Sequence, residues 1–350
     1  MSEKSGERER PDELKGISLP ADPGEMLDEF GGRYELIASE ISKVIIGQKE
    51  VIDQVLIGLF TGTHSLLIGV PGLAKTSIVQ SVADVLDLKF KRIQFTPDLM
   101  PSDITGTNVL RPEAAEQKFT FVPGPVFANI ILADEINRTP PKTQAALLEA
   151  MQERQVSVGD ETYPLPNPFF VIATQNPIEH EGTYPLPEAQ LDRFLFSIKV
   201  DYPGSDEEQE IYRFHMRGRP VRLRPALSRE NVLRMQETVR RVVVGDHVVA
   251  YVNSLVRATR PGGDAAPPFI GEYVSWGVGT RGGIYLLTAA RAWAAMDGRL
   301  NASIDDVRKI ACPCLRHRMG LNFRAETEGV DADELIRRLV EAVPAPGEKV

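Results

Sequence analysis

Residues 69–76 read Gly-Val-Pro-Gly-Leu-Ala-Lys-Thr, and this stretch decides the fold. It follows the apolar run at 66–68 and leads into Ser77-Ile78-Val79, so it lies where a strand turns into a helix. Glycine and proline favour a tight loop whose N–H groups converge on an anion, and the dipole of the next helix adds to the attraction. The pattern is typical of a phosphate-binding loop, although Ala74 replaces its second glycine.

This loop predicts a site for a nucleoside triphosphate. Lys75 is expected to reach the terminal phosphates, and the Thr76 hydroxyl is expected to ligate Mg²⁺. The residues of the loop that we predict to bind the cofactor are Pro71, Gly72, Leu73, Ala74, Lys75, Thr76 and Ser77.

A second stretch supplies two carboxylates. Residues 129–133 are typical of a buried strand in a parallel sheet, and Asp134 and Glu135 follow directly. Adjacent carboxylates at such a position are costly unless a cation neutralises them, and alone they would be better explained as an acidic turn. Together with Lys75 they predict hydrolysis. Asp134 is expected to bind Mg²⁺ through water, and Glu135 to polarise the water that attacks the γ-phosphate.

Composition limits the class of protein. The 350 residues suffice for two domains, and 42% hydrophobic and 25% charged residues are ordinary for a globular chain. A net charge of −9 argues against general nucleic-acid binding. No apolar run approaches the roughly 18 residues of a membrane span, and there are only two cysteines, so a cytoplasmic location is expected. Cys312 and Cys314, with His317 nearby, are interpreted as buried and inert rather than as zinc ligands.

The pattern along the chain predicts an α/β core followed by a helical domain. Residues 1–24 are expected to be a disordered tail, and 25–203 a parallel sheet flanked by helices, with hairpin inserts at about 96–127 and 155–164. In the first insert we predict strands at 104–110 and 118–122. Residues 204–350 are predicted to form a linker and a helical lid.

Three further residues are candidates because of their positions. Asn176 follows the apolar run at 169–173, and its amide would orient the attacking water if that strand lies beside Asp134. Arg193 precedes the last predicted strand, where an arginine can serve the γ-phosphate bound by another subunit. Arg281 begins a helix of the second domain and is interpreted as a reporter of the nucleotide state. Taken alone, Asn176 would be better explained as part of an Asn-Pro turn, and Arg193 and Arg281 as surface charges.

The order of these motifs resembles an AAA+ ATPase of the MoxR family. The likeness covers about 26–343 and includes Ile46-Gly47-Gln48, the phosphate loop, Ala133-Asp134-Glu135-Ile136-Asn137-Arg138, Ala173-Thr174-Gln175-Asn176-Pro177, residues 188–194 and Leu315-Arg316-His317-Arg318. The resemblance implies a P-loop AAA+ core with a lid domain, and it tolerates Ala74. It implies that Asn176 is sensor 1, Arg193 the arginine finger and Arg281 sensor 2, and that Ile46 and Gly47 contact the adenine. Gln94 is proposed to hold Glu135 idle, and Arg138 to be a second intersubunit arginine.

The same resemblance implies a Mg²⁺-dependent ATPase that forms a ring, usually a hexamer, and acts as a chaperone on client complexes. Proteins with a von Willebrand factor A domain are the partners it suggests. Three alternatives stay open at this point: a magnesium-chelatase ATPase subunit, a DNA-translocating motor, and a scaffold that binds ATP with little turnover. The acidic residues Glu113, Glu116, Asp160 and Glu161 in the inserts disfavour the motor.

Overall fold

A computed structural model describes residues 19–113, 116–178, 182–216, 218 and 221–347 of the chain. The strands are β1 (Ser65–Ile68), β2 (Phe90–Gln94), β3 (Gly106–Glu113), β4 (Glu116–Pro123), β5 (Ile130–Asp134), β6 (Gln155–Val158), β7 (Glu161–Pro164), β8 (Phe170–Gln175), β9 (Phe196–Lys199), β10 (Val243–Val244), β11 (Val274–Trp276), β12 (Asn301–Ala302) and β13 (Gly320–Leu321). The helices of the core are α1 (Pro23–Ile41), α2 (Lys49–Thr61), α3 (Lys75–Val85), α4 (Pro101–Thr105), α5 (Pro141–Glu153), α6 (Glu188–Leu191) and α7 (Ser205–Met216). Those that follow are α8 (Arg229–Arg241), α9 (Asp246–Ala258), α10 (Pro268–Tyr273), α11 (Thr280–Met296), α12 (Ile304–Leu315), α13 (Phe323–Glu328) and α14 (Ala332–Ala342), and 3-10 turns lie at Ile136–Arg138 and Arg316–Arg318.

A five-stranded sheet in the order β2-β5-β8-β1-β9 forms the centre, and all of its neighbouring strands are parallel. The predicted α/β class is therefore confirmed. Because the strands are parallel, the segments that follow β1, β2, β5 and β8 meet at one edge of the sheet, the carboxyl edge. The segments that precede the strands meet at the opposite, amino edge.

The sheet is covered on both faces, and alternate residues of its strands enter two different cores. Ile130 and Leu132 of β5 share a cluster with buried residues of α1, α2 and α3, whereas Ile131 and Ala133 share one with buried residues of α4 and α5. This alternation follows from the period of two in a strand. It fixes the register in which Asp134 leaves the end of β5 at the carboxyl edge.

The lid helices share a core with the α/β part. Buried side chains of α8, α9, α11, α12 and α14 belong to the same apolar cluster as those of α1, α2 and β9. The apolar core is consequently continuous across the domain boundary that we predicted near residue 204. The lid is attached to the sheet on the side of β9.

Several predicted bounds need correction. Helix α1 begins at Pro23, inside the stretch predicted to be a tail, because the Asp22 side chain caps it by accepting hydrogen bonds from the N–H groups of Gly24 and Glu25. Residues 1–18 of that stretch lie outside the described residues. Ile104 lies in α4 rather than in a strand, where its side chain is buried.

Each of the two predicted inserts contains an antiparallel hairpin. Strands β3 and β4 are antiparallel and longer than predicted, and β6 and β7 pair around Gly159 and Asp160. Phe121 of β4 stacks on Tyr163 of β7 with ring centroids 4.0 Å apart, so the hairpins support one another. Among the described residues, none of the helices combines the length and apolar character needed to cross a membrane.

Candidate active site

The phosphate loop connects β1 to α3 at the carboxyl edge. Gly72 has φ +88, and a Cβ there would meet no neighbour, so its positive φ is what requires glycine. Ala74 also takes a left-handed conformation, with φ 55, immediately before α3. An L-residue pays roughly 1 kcal/mol for that conformation, which explains why the pattern usually has glycine and why alanine is still possible.

Lys75 is the first residue of α3, and its side chain reaches back over the loop. Its Nζ donates hydrogen bonds to the carbonyl oxygens of Gly69 and Val70, the latter at 3.0 Å. Thr76 follows it in the first turn of α3 and is half-buried. The ammonium group therefore lies over the loop whose N–H groups were predicted to bind phosphate.

The carboxylate of Asp134 is buried and already has protein partners. Its Oδ2 accepts hydrogen bonds from Nε and Nη2 of Arg92 on β2, at 2.9 and 2.6 Å, and its Oδ1 accepts one from the Thr174 hydroxyl at 2.6 Å. We expected Mg²⁺ to neutralise this acidic pair; within the protein, Arg92 pairs with Asp134. Arg92 was not predicted from the sequence as a partner of Asp134, because only the register of β2 against β5 places it there.

The carboxylate of Glu135 also has hydrogen-bond partners within the protein. Its Oε2 accepts hydrogen bonds from Nε2 of Gln94 and from Nη1 of Arg138, both at 2.9 Å. The contact with Gln94 agrees with the prediction for that residue. Arg138 pairs with Glu135 of its own chain, and its place at a subunit interface stays a prediction. Arg92 also donates to the Gln94 side chain at 2.6 Å, which joins both carboxylates in one network.

Asn176 follows β8, which lies between β1 and β5. Its Oδ1 accepts a hydrogen bond from the N–H of Ile178 at 3.3 Å, whereas its Nδ2 is buried and has no partner among the described residues. A buried donor without a partner is costly, and this one lies between the phosphate loop and the acidic pair. An anion or a water at this edge would satisfy it, so the residues present fit a magnesium-bound triphosphate.

A cavity of about 550 Å³ lies beside the phosphate loop. Its walls come from the segment between α1 and α2, from the loop itself, and from α7 with the residues before it. The lining residues include Ile46, Pro71, Gly72, Leu73, Ala74, Ser77, Tyr202, Ile211, Tyr212, Phe214 and His215. The size of this cavity and its mostly apolar walls suit a nucleotide base. Gly47 has φ +70 and lies against the Glu207 carboxylate, which a Cβ on Gly47 would approach to 2.5 Å.

The cavity lies between the α/β core and α7, and α7 falls at the start of the segment 204–350 that was predicted to be linker and lid. Among the described residues, the cavity is lined by the core and α7, and no residue of α8 to α14 contributes. Helix α7 was not predicted from the sequence to line the cavity. Its half-buried residues Glu207, Ile211 and Phe214 follow helical spacing, and that spacing was the available signal.

Arg193 and Arg281 lie together at the amino edge, away from the phosphate loop. Arg193 precedes β9 and donates from Nη1 to the carbonyl of Leu148 at 2.7 Å, and Arg281 faces Asp192 at 3.6 Å. Both line a second cavity of about 270 Å³, next to the residues that precede β1. The four residues of β1 alone span about 13 Å. Arg281 therefore lies near Arg193 rather than near the phosphate loop of its own chain, and its role as sensor 2 stays a prediction.

His64 and Arg154 also line this second cavity. His64 accepts the N–H of Val171 on Nδ1 at 3.0 Å, and burial lowers the pKa of its imidazole to about 3, so it is neutral. Burial, with repulsion from Arg240, also lowers the pKa of Arg154. The positive charge of this cavity therefore comes from arginines alone.

Comparison with known proteins places these features in a family. Residues 64–196 match the model of the ATPase family associated with various cellular activities, and residues 270–339 match an AAA lid domain. Chaperone MoxR1 of Mycobacterium tuberculosis is 44% identical over 88% of this chain and 81% of its own length. Protein MoxR of Methylorubrum extorquens is 31% identical over 93% of this chain and 98% of its own. A crystal structure from Cytophaga hutchinsonii is 42% identical, with a TM-score of 0.85 over 91% of this chain and 97% of that one.

Proposed function

This chain belongs to the MoxR family of AAA+ ATPases, and on that premise we propose that it hydrolyses ATP with Mg²⁺ and uses the energy to remodel or activate partner proteins. One observation carries the proposal. Lys75, Asp134, Glu135 and Asn176, whose Nδ2 has no partner among the described residues, lie at the same edge of the sheet and follow neighbouring strands. Phosphoryl transfer needs this combination of a cation, a metal-binding carboxylate, a base and a donor.

Each residue has a defined role in the proposed reaction. Thr76 and Asp134 would hold Mg²⁺, which when bound neutralises charge on the phosphate oxygens. Lys75 exchanges its carbonyl partners for phosphate oxygens, and Asn176 donates from Nδ2 to the attacking water or to the γ-phosphate. Glu135 accepts the proton of that water at a carboxylate oxygen, after Gln94 and Arg138 release it. The base lies in the cavity against Ile46 and α7.

Arg193 and Arg281 are proposed to act on the triphosphate of a neighbouring subunit. Both side chains lie at the amino edge of the sheet, so they cannot reach the phosphate loop of their own chain at the carboxyl edge. A head-to-tail contact that brings the amino edge of one subunit to the carboxyl edge of the next is heterologous, and it closes into a ring when the rotation permits. AAA+ membership favours six subunits.

The β3–β4 hairpin is proposed to transmit the nucleotide state to the partner. It follows β2 closely, and Gln94 at the end of β2 contacts Glu135. The side chains of Leu110 and Phe119, 44% and 69% exposed, lie opposite each other on this hairpin. Exposed apolar side chains on a projecting element suit contact with another protein. Proteins with a von Willebrand factor A domain are the partners that the family resemblance implies.

The direct test measures binding and hydrolysis of ATP. The parent should bind ATP with Mg²⁺ and release phosphate, whereas Lys75→Ala should bind ATP about 10- to 100-fold more weakly, because a hydrogen bond from a charged group contributes roughly 1.5–3 kcal/mol. Lys142→Ala, on the exposed start of α5, is the matched control and should bind as the parent does. A folded parent that takes up no labelled ATP would overturn the proposal.

Arg92→Met is expected to lower the Mg²⁺ concentration that half-saturates ATP binding by up to about 5-fold. Arg92 occupies Oδ2 of Asp134 and adds positive charge beside the proposed metal site. The effect is small because the side chain of Arg92 is 50% exposed and such pairs contribute roughly 0–1 kcal/mol. The measurement is a Mg²⁺ titration of fluorescent ATP-analogue binding, with Lys91→Met on the same strand as control. A higher Mg²⁺ requirement would instead mean that Arg92 orients Asp134.

A further inference from the structure

Three consecutive side chains of the lid contact β9 and the segment that leads into it. Arg316, His317 and Arg318 form the 3-10 turn after α12, and β9 is an outer strand of the sheet. Arg316 donates from Nη1 to the carbonyl of Ser197 at 2.8 Å, and His317 Nε2 contacts the carbonyl of Phe194 at 3.1 Å. The carbonyl groups of an outer strand otherwise lack partners. These side chains therefore supply partners for carbonyl groups of β9 and of the residues just before it.

Arg318 makes the densest set of contacts, and it is buried. Its guanidinium donates to the carbonyls of Asp192 and Leu195, both at 3.2 Å, and to those of Phe194 and Cys314. Its Nε donates to Oδ1 of Asp192 at 2.8 Å. Only 2% of the side chain is exposed. A charge at this depth is tolerated because its donors are satisfied and a carboxylate is paired with it.

The backbone that Arg318 holds is the backbone that carries Arg193. Asp192 and Phe194, the two neighbours of Arg193, both accept hydrogen bonds from Arg318 through their carbonyls. The Tyr285 hydroxyl donates to the carbonyl of Arg193 itself at 3.2 Å. The guanidinium of Arg318 lies 4.9 Å from the centre of the Tyr285 ring. The segment is thus fixed on both sides of the arginine and at its carbonyl.

Arg281 is joined to the same arrangement. Asp192 pairs through Oδ1 with Arg318 and faces Arg281 with Oδ2 at 3.6 Å. Gly282, next to Arg281, makes room for this packing, because a Cβ there would lie 3.1 Å from Cδ of Arg318 and 2.3 Å from Val278. One carboxylate and one buried guanidinium therefore set the distance between Arg193 and Arg281.

We propose that Arg318 is a positioning residue that holds Arg193 and Arg281 as one rigid pair for the triphosphate of the neighbouring subunit. This rests on the proposed function of the two arginines. Arg318 itself touches no nucleotide. A guanidinium is suited to the role because its five donors lie in one plane, whereas a lysine offers a single ammonium group that cannot hold several carbonyls at fixed angles.

The test uses Arg318→Lys, which keeps the charge. We expect ATP binding by the variant to equal that of the parent, and its turnover to fall about 100-fold, because a misplacement of about 1 Å costs that much. Arg324→Lys, an exposed arginine of the lid, is the matched control and should keep parental turnover. Parental turnover by Arg318→Lys would overturn the proposal.

A mixing experiment separates positioning from a general role in folding. Arg318→Lys keeps an intact phosphate loop, and Lys75→Ala keeps intact arginines, so mixed assemblies should contain complete sites and regain turnover. A fold defect in Arg318→Lys would not be repaired by mixing. Failure to regain turnover would therefore overturn the proposal, provided that Arg193→Ala mixed with Lys75→Ala does regain it.

The second mixture also distinguishes the two levels of inference. If Arg193→Ala and Lys75→Ala do not complement each other, the shared site fails and the proposal for Arg318 fails with it. Should Arg318→Lys not fold, Asp192→Asn takes its place in both measurements, because it removes the carboxylate that joins Arg318 to Arg281. The same outcomes then support or overturn the proposal.

Discussion

Glu135→Gln is expected to lower ATP turnover by about 10²- to 10⁴-fold while ATP stays bound, since that is the usual contribution of a general base. The amide has the size of the carboxylate and accepts hydrogen bonds from Gln94 and Arg138, so the local structure should persist. It cannot take a proton from the attacking water. The phosphate loop, which is proposed to bind ATP, is unchanged by the substitution.

The measurement pairs phosphate release with retention of labelled ATP. Glu326→Gln, on the exposed face of α13, is the matched control and should turn over ATP as the parent does. A Glu135→Gln variant with near-parental turnover would show that another group activates the water. The ATP-bound variant is also suited to affinity capture of the partner protein, followed by mass spectrometry, because its nucleotide state does not advance.

The carboxyl edge of the sheet was predictable because its signals are local. The loop at 69–76, the acidic pair after β5 and Asn176 after β8 each follow an apolar run, and parallel strands bring their ends together. Ala74 was an irregularity in the sequence pattern, and its φ of 55 gives it a physical explanation. A strand end is encoded within a few residues, so one sequence suffices to read it.

Contacts across elements were not predictable in the same way. Arg92 reaches Asp134 through the register of β2 against β5, and no pattern within β2 indicates that partner. The position of Arg281 depends on how α11 packs against α12, which in turn packs against β9, and this is a matter of tertiary structure. The motif at 315–318 was noticed only through family resemblance, and its contacts with the segment around Arg193 became visible only in the fold.

Arg193→Ala is expected to abolish most ATP turnover, by about 10³- to 10⁵-fold, while a lone subunit binds ATP as the parent does. Arg193 rests on the carbonyl of Leu148 and lies at the edge of the sheet opposite to the phosphate loop of its own chain. Its removal therefore leaves that loop untouched. Turnover per subunit of the parent should rise with protein concentration, because the complete site exists only in the assembly.

A complementation assay is the most direct test of the prediction for Arg193→Ala. In an equal mixture with Lys75→Ala, about a quarter of the junctions in a head-to-tail ring combine an intact loop with an intact arginine, so turnover should recover to roughly that fraction. Arg241→Ala, whose side chain is 50% exposed on α8, is the matched control and needs no rescue. If Arg193→Ala alone hydrolysed ATP at the parental rate, the site would be complete within one chain. The position of Arg193 at the amino edge would then need an explanation other than catalysis.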